Sequence, residues 1–240
     1  MAALFISDLH IDAGRPAITE RFLNFLGAEA VQADALYILG DLFESWVGDD
    51  AADAAQAAAI AGLRSLTSQG VPCFAMHGNR DFLLAARFCD QSGARLLPDP
   101  LIITLYGERV LVMHGDALCT DDHAYQRLRA TVRDAGWQRQ FLALALASRR
   151  ALAGAARTGS QAHTASLEYA IADVNADSVA LALRNAGTTT LLHGHTHRPA
   201  IHALQVDGRP CTRIVLGDWY DQGSLLRWDE HGPELVSLTG

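Results

Sequence analysis

Residues 4–10 read Leu4-Phe5-Ile6-Ser7-Asp8-Leu9-His10, an apolar run that gives way at once to a carboxylate and an imidazole. Four other places repeat this arrangement, in which an apolar, β-branched or aromatic run precedes a short polar block. The five blocks are Asp8-Leu9-His10, Gly40-Asp41, Gly78-Asn79-Arg80-Asp81, His114-Gly115-Asp116 and Gly194-His195-Thr196-His197. Because runs of this composition predict strands, each block is expected just beyond the end of a strand.

Predicted strands and helices alternate along the first half of the chain. Strands are predicted near 3–7, 36–39, 72–76, 101–105 and 109–113, with helices near 17–30, 52–69 and 81–91. Further strands are predicted near 189–193, 200–206, 211–216, 224–228 and 234–238. This alternation indicates an α/β fold with layers of helix over sheet.

The middle of the chain, roughly 121–187, contains no convincing strand. Helices are predicted near 123–135, 137–153 and 164–186, with breaks at Gly154 and over 158–160. We therefore predict a core formed by 1–120 and 188–240, with a helical insertion, or lid, at 121–187. Its apolar segment 141–146 (FLALAL) has no polar face, which predicts either burial or an apolar ligand.

The composition is that of a globular enzyme, with 50% hydrophobic and 19% charged residues among 240. A formal charge of −8 argues against nucleic-acid binding. The four cysteines form no C-x-x-C pair and are predicted to be reduced. The start of the chain has no secretion signal, and no apolar run is long enough to span a bilayer, so a soluble or peripheral protein is expected.

The insertion differs from the rest of the chain in charge. All 19 basic residues are arginines, and seven of them lie between His123 and Gly159 against a single acid, Asp134. The ordinary interpretation of such a run is a solvated helix face. The alternative is a segment that faces an anionic ligand or surface.

The residue types of the five blocks are those that bind divalent metal ions. They include no thiolate, which argues against a structural zinc site. Alternate residues of a strand point the same way, so Asp8 and His10 are expected to face one ligand, and His195 and His197 likewise. The two oxygens of a carboxylate such as Asp41 can bridge two cations. Two metals about 3.5–4 Å apart would lower the pKa of a bridging water and promote in-line displacement at phosphorus.

The order D-x-H, G-D, G-N-R-D, H-G-D, G-H-T-H resembles that of the calcineurin-like metallophosphoesterases. The resemblance implies an αββα sandwich with a dinuclear site. It implies one metal held by Asp8, His10, Asp41 and His197, and a second held by Asp41, Asn79, His114 and His195. Of these, Asp41, Asn79, His114 and His195 are the predicted catalytic residues. The protein phosphatases of this superfamily usually carry His where this chain has Arg80, which disfavours that activity.

Longer segments around the blocks resemble the UDP-2,3-diacylglucosamine pyrophosphate hydrolases of lipid A biosynthesis. They are 40–50 (GDLFESWVGDD), 78–83 (GNRDFL), 114–122 (HGDALCTDD) and 194–199 (GHTHRP). The resemblance implies water attack at the α-phosphorus, giving UMP and 2,3-diacylglucosamine 1-phosphate. It also implies two Mn²⁺ ions and a peripheral location on the cytoplasmic face of the inner membrane. The implied substrate contacts are Asn79, Arg80, Asp122, Ser160, Thr164 and His195.

Two positions depart from the family pattern. Thr164 stands where the family often has Asn, and Leu167 stands where it often has a Lys that contacts the substrate. Arg157 is a candidate for the missing charge. Helix-cap chemistry is an alternative role for Ser160 and Thr164.

Two other functions stay open. One is a different dinuclear-metal phosphodiesterase or nucleotide pyrophosphatase, although a small soluble substrate needs no apolar lid. The other is a scaffold without catalysis, although scaffolds tend to lose ligands that this chain retains. The predicted partners are a lipid-linked UDP-sugar and a membrane surface, without nucleic acid and with the oligomeric state open. Nitrogen and oxygen ligands accept Mn²⁺, Fe²⁺ or Zn²⁺, so the ligand types alone leave the metal open.

Overall fold

The computed structural model describes residues 2–166, 173–221 and 223–238, without the side chains of 160–166. The strands are β1 (Ala3–Ile6), β2 (Ala35–Ile38), β3 (Cys73–Met76), β4 (Arg95–Leu97), β5 (Leu101–Leu105), β6 (Glu108–Met113), β7 (Thr190–His193), β8 (Ala200–Val206), β9 (Arg209–Val215), β10 (Gly223–Asp229) and β11 (Gly232–Leu238). The helices are α1 (Pro16–Ala28), α2 (Ala54–Ser68), α3 (Ala86–Ser92), α4 (His123–Val132), α5 (Ala135–Leu142), α6 (Leu146–Ser166) and α7 (Ala176–Ala186).

The strands form two mixed sheets. The first has the order β11-β10-β1-β2-β3-β4, in which β1 to β4 are parallel. The second has the order β5-β6-β7-β9-β8, with β6, β7 and β9 parallel. Parallel neighbours bring their C-terminal ends to the same edge of each sheet, where ligands of layered α/β folds collect.

The sheets pack face to face, and helices cover both outer faces. Along β1 the side chain of Phe5 points between the sheets, whereas Leu4 and Ile6 point towards the helices. Helices α1 and α2 pack on this outer face of the first sheet, and α7 covers the second sheet through Val179 and Leu183. The predicted αββα sandwich is confirmed.

Local sequence explains where several helices begin. Asp53 and Gln56 form a reciprocal capping box at the start of α2. The side chains of Asp122, Asp134 and Asn175 accept backbone N–H groups at the starts of α4, α5 and α7. Polar residues of this kind satisfy the free N–H groups of a first turn.

Some predicted boundaries are wrong. The breaks expected at Gly154 and over 158–160 do not occur, because α6 continues through both. A glycine costs a helix only about 1 kcal/mol, which the other positions of α6 offset. The helix predicted near 137–153 is instead divided between α5 and α6, and the three-residue strand β4 was not predicted.

The division into a core and an insertion stays a prediction, although α7, which lies in the segment 121–187, packs as a layer of the sandwich. All four cysteines are free, as predicted. Across 2–166, 173–221 and 223–238, no helix combines the length and apolarity that a membrane crossing requires.

Candidate metal centre and adjoining cavity

The blocks that follow β1, β2, β3, β6 and β7 converge at one edge of the two sheets. The first cluster contains Asp8, His10 and His197. The Nε2 atoms of His10 and His197 lie 3.3 Å apart, and the Nε2 of His197 lies 3.3 Å from Oδ1 of Asp8. Ligand atoms of these three residues lie within 4.8 Å of one another, close enough to hold one metal ion.

The second cluster contains Asp41, Asn79 and His114. The Nε2 of His114 lies 2.9 Å from Oδ1 of Asn79 and 3.8 Å from Oδ1 of Asp41. The other oxygen of Asp41, Oδ2, lies 3.8 Å from Nε2 of His10. Asp41 therefore faces both clusters, one oxygen to each, as a bridging ligand would. Asp8 also approaches Asp41 and His114 closely enough to form a metal-binding group with them.

His195 lies next to the second cluster. Its ring lies 5.1 Å from that of His114, and its backbone N–H donates to Oδ2 of Asp8 at 2.8 Å. Burial, together with the nearby positive charge of His114, lowers the pKa of His195 to about 4. Burial therefore favours the neutral ring of His195, the form that binds a metal.

The loops that carry the candidate ligands do not have the extended strand conformation that the sequence predicts. β1 ends at Ile6 and β7 at His193, so neither pair of predicted ligands lies in a strand. Instead, Asp8, His10, Asp41, His195 and His197 all have φ between 52° and 69°. This left-handed conformation costs a non-glycine residue of order 1 kcal/mol or more and persists where surrounding contacts enforce it.

The Nδ1 atoms of three histidines lie near oxygen atoms, in hydrogen-bond geometry for His114 and at ion-pair distance for His10 and His197. The Nδ1 of His114 lies 2.9 Å from the carbonyl oxygen of Leu39, to which it can donate. The Nδ1 of His10 lies 3.3 Å from Glu44, and that of His197 lies 3.3 Å from Asp218. Partners of this kind orient a ligand histidine and leave its Nε2 lone pair free for a metal.

The charges of the site suit a cation. Burial opposes protonation of His114, but the charges of Asp41, Asp116 and Asp8 outweigh it and raise the pKa of His114 to about 9. Oδ1 of Asp8 is buried and accepts no hydrogen bond within the described part of the chain. Converging Nε2 atoms and an unsatisfied carboxylate oxygen fit divalent metal ions with nitrogen and oxygen ligands.

Asp81 holds two of the loops together. Its buried carboxylate accepts backbone N–H groups from Gly78 and Leu42 at 2.8 Å, with longer contacts to Asp41 and Phe43. Gly78 lies so close to Asp41 that a Cβ there would overlap the carboxylate. Asp81 is therefore a structural residue of the G-N-R-D block.

Asp116 connects the centre to α4. Its carboxylate accepts hydrogen bonds from Tyr125 Oη at 2.6 Å and from Arg129 Nε at 2.8 Å. Although burial opposes ionisation, the charges of His114 and Arg129 lower the pKa of Asp116. One buried carboxylate thus anchors two side chains of α4.

A cavity of about 560 Å³ opens beside the second cluster. Its lining includes Asn79 and Arg80, several other polar side chains, and apolar side chains of α4, α5, α6 and the loops after β2 and β3. Its main apolar side chains are Trp46, Val47, Phe82, Leu83, Leu128, Val132, Trp137, Phe141, Leu144 and Leu152. Of the segment 141–146, Phe141 is buried but Leu142 and Leu144 are 41% and 42% exposed. Burial therefore does not explain this apolar segment.

The structure brings some predicted substrate contacts to the cavity. Asn79 and Arg80 line it, and the backbone N–H of Arg80 donates to Oδ1 of Asp41 at 2.8 Å. Asp122 accepts the N–H of Tyr125 as the cap of α4. The side chains of Ser160 and Thr164, and the whole of Leu167, lie outside the described residues. Arg157 lines the cavity but forms ion pairs with Asp12 and Glu44.

Sequence reasoning missed Glu44, Asp116 and Asp218 as supporting residues. Asp116 lies in a block and Glu44 lies beside one, whereas Asp218 lies outside all five, and nothing in the spacing tells which group each residue contacts. The one available signal is position, because Asp218 follows the end of β9 much as Asp8 follows β1.

A model of the calcineurin-like phosphoesterases matches residues 1–199. The chain belongs to the calcineurin-like phosphoesterase family. Proteins named UDP-2,3-diacylglucosamine hydrolase resemble it over its whole length. One from Xanthomonas axonopodis pv. citri (strain 306) is 53% identical over 100% of both chains. One from Stenotrophomonas maltophilia (strain R551-3) is 52% identical over 100% of this chain and 99% of its own.

The resemblance to this group of calcineurin-like phosphoesterases is therefore confirmed, and family membership implies divalent metal ions. The solved structure of an archaeal phosphodiesterase aligns with 99% of this chain and 100% of its own, at 11% identity and a TM-score of 0.49.

Proposed function

We propose that this calcineurin-like phosphoesterase hydrolyses the pyrophosphate bond of UDP-2,3-diacylglucosamine to UMP and 2,3-diacylglucosamine 1-phosphate. The observation that carries the proposal is the continuity between the two ligand clusters and the apolar cavity, since Asn79 and Arg80 belong to both. A diphosphate at the clusters would leave an attached lipid next to the cavity. The full-length likeness to hydrolases of that name supports the same substrate.

Two divalent metal ions, with Mn²⁺ proposed, would activate water and stabilise charge at phosphorus when bound. Asp8, His10, Asp41 and His197 would hold one ion, and Asp41, Asn79, His114 and His195 the other. The distances from the two oxygens of Asp41 to His10 and His114, both 3.8 Å, support its bridging position.

Arg80 is proposed to bind phosphate oxygens. Its backbone N–H is fixed on Asp41, which places the start of its side chain at the junction of clusters and cavity. A guanidinium can donate two parallel hydrogen bonds to phosphate, and it does so with more geometric selectivity than an ammonium group. Asp122, His195, Ser160 and Thr164 stay proposed as further substrate contacts.

The acyl chains are proposed to occupy the apolar cavity. The lining also includes Arg129, Arg133 and Arg157, and although Arg129 and Arg157 have acidic partners, the positive charge here would favour the anionic part of a lipid. Four of the nine exposed large hydrophobic side chains in the described residues lie on α4, α5, α6 or the turn between them, namely Leu128, Leu142, Leu144 and Leu152. Leucines interspersed with arginines suit the surface of an anionic membrane, which supports a peripheral position on the cytoplasmic face of the inner membrane.

Hydrolysis in ¹⁸O-labelled water tests where the bond is cleaved. If water attacks the phosphorus on the nucleoside side, the label will appear in UMP, as mass spectrometry of both products would show. The same reaction with the deacylated UDP-sugar is the control, and its turnover should be far slower because the cavity stays empty. Label confined to the lipid phosphate would contradict the site of attack, and equal turnover of the deacylated compound would contradict the lipid substrate.

Leu152 provides a test of the cavity, because it lines the cavity and is 52% exposed. Leu152→Ser should raise KM for the acylated substrate roughly five- to thirtyfold, the equivalent of losing about 1–2 kcal/mol of apolar contact. Leu181→Ser is the matched control, since Leu181 is 54% exposed on α7 and lies outside the cavity lining. Steady-state kinetics would check both variants, and equal KM values for the two would argue against acyl binding there.

A further inference from the structure

Glu44 lies next to the first ligand cluster without belonging to it. Its side chain is only 5% exposed, and its backbone N–H donates to the carbonyl of Ile11 at 3.1 Å. The preceding residues of its loop run beside the His10 loop, where the N–H of His10 donates to the carbonyl of Asp41 at 3.0 Å. The position of Glu44 relative to His10 is therefore set by the backbone.

The Glu44 carboxylate has three partners from three parts of the chain. Oε2 lies 3.3 Å from Nδ1 of His10, at ion-pair distance without hydrogen-bond geometry, and accepts a hydrogen bond from Arg15, at the start of α1, at 2.6 Å. Oε1 lies 3.0 Å from Nε of Arg157, which belongs to α6. Arg15 and Arg157 thus hold opposite oxygens, and together they fix the carboxylate in the rotation at which Oε2 faces His10.

Arg157 differs from the other arginines that attach α6 to the core. Arg149 pairs with Asp50, and Arg150 donates to the carbonyl of Ala51 at 3.3 Å. Arg157 instead contacts Asp12 through Nη1 and Glu44 through Nε, so it alone of these three reaches a neighbour of a candidate metal ligand.

We propose that Glu44 is a positioning residue for His10, and that Arg157 couples the docking of α6 to the metal centre through Glu44. With α6 docked, the Nε2 of His10 is held towards the first cluster. With α6 displaced, Glu44 loses one of its two arginines and His10 is held less firmly. Metal affinity therefore depends on a helix that also lines the cavity. The inference rests on the metal site of the proposed function.

Mn²⁺ binding to the metal-free full-length protein tests the coupling without substrate. Free Mn²⁺ can be followed by its electron paramagnetic resonance signal. Glu44→Gln should weaken binding about 10- to 100-fold, the usual effect of removing an outer partner of a ligand histidine. Arg157→Ala should weaken it by a smaller factor. Arg157→Lys should also weaken it, because one ammonium group does not reproduce the two-sided contact of the guanidinium.

The double variant decides whether Arg157 acts through Glu44. In the Glu44→Gln background, Arg157→Ala should have no further effect on Mn²⁺ affinity. Arg150→Ala is the matched control on the same helix, and it should weaken Mn²⁺ binding less than Arg157→Ala does, because Arg150 contacts only the carbonyl of Ala51, away from the candidate ligands. Thermal unfolding of each metal-free variant checks the fold. If Glu44→Gln does not fold, the comparison of Arg157→Ala with Arg150→Ala still tests whether the Arg157 contact affects Mn²⁺ affinity.

Additive effects of the two substitutions would overturn the coupling, as would unchanged Mn²⁺ affinity in Arg157→Ala. A wild-type protein that fails to bind Mn²⁺ would contradict the metal centre itself, and the coupling with it. If the wild-type protein binds Mn²⁺ and Glu44→Gln binds it equally well, the positioning role of Glu44 is contradicted, but the metal centre is not.

Discussion

Asp41→Ala is expected to abolish hydrolysis, with a loss of at least about a thousandfold in kcat, or about 4 kcal/mol of transition-state stabilisation. Asp41 directs its two oxygens to different clusters, at 3.8 Å from His10 and from His114. Its removal would therefore deprive both proposed metal ions of a ligand at once. No other described carboxylate contacts both of these histidines at that distance.

The fold should survive this substitution with a loss of about 1 kcal/mol, because alanine tolerates the left-handed φ of 52° less well than aspartate but the backbone N–H at this position still bonds to Asp81. Steady-state turnover, Mn²⁺ stoichiometry and the circular-dichroism melting curve would be compared with those of Asp90→Ala, an exposed aspartate on α3. Turnover within about tenfold of wild type in the Asp41 variant would contradict a bridging role.

Asp116→Ala is expected to lower the free energy of unfolding by about 3 kcal/mol, the scale for removing one partner of a buried ion pair. The change removes the nearer carboxylate of Arg129, which keeps Asp99 at 3.8 Å, and it removes the acceptor of Tyr125 Oη. Because both residues belong to α4, amide hydrogen exchange should accelerate most along this helix. Urea titration would measure the stability, and exchange mass spectrometry the local effect.

Asp207→Asn is the control for Asp116, since Asp207 pairs with Arg184 at 2.7 Å but both side chains are about half exposed, and asparagine tolerates the left-handed φ of 52° at this turn. Exposed ion pairs often contribute nothing measurable, so its unfolding curve should match the wild type. Equal curves for Asp116→Ala and Asp207→Asn would show that Asp116 does not anchor α4.

Much of the fold follows from short-range sequence patterns. Apolar runs of four to seven residues become strands because their side chains pack on both faces, as Leu4 and Phe5 do on opposite sides of β1. Periodicity does not reveal the continuity of α6 through Gly154, because the contacts of α6 with the core come from distant residues such as Asp50 and Glu44. β4 could not be predicted, because a strand of three residues is too short to show a periodic pattern.

The candidate site was predictable in composition but not in geometry. The polar blocks indicate which residues gather, since parallel strands bring their ends together. The alternation argument for Asp8 and His10 is wrong, because both residues adopt a left-handed backbone outside the strand. Glu44 and Asp218 are separated from their histidines by long stretches of chain, so only the tertiary structure pairs them. The assignment of individual metal ligands stays a prediction.

The most direct test of the proposed function is the hydrolysis of the acylated UDP-glucosamine by protein treated with a chelator, assayed with and without added Mn²⁺. We predict that UMP and 2,3-diacylglucosamine 1-phosphate form only after Mn²⁺ is restored. Equal turnover by the metal-free protein, or no turnover with Mn²⁺ bound, would contradict the proposal.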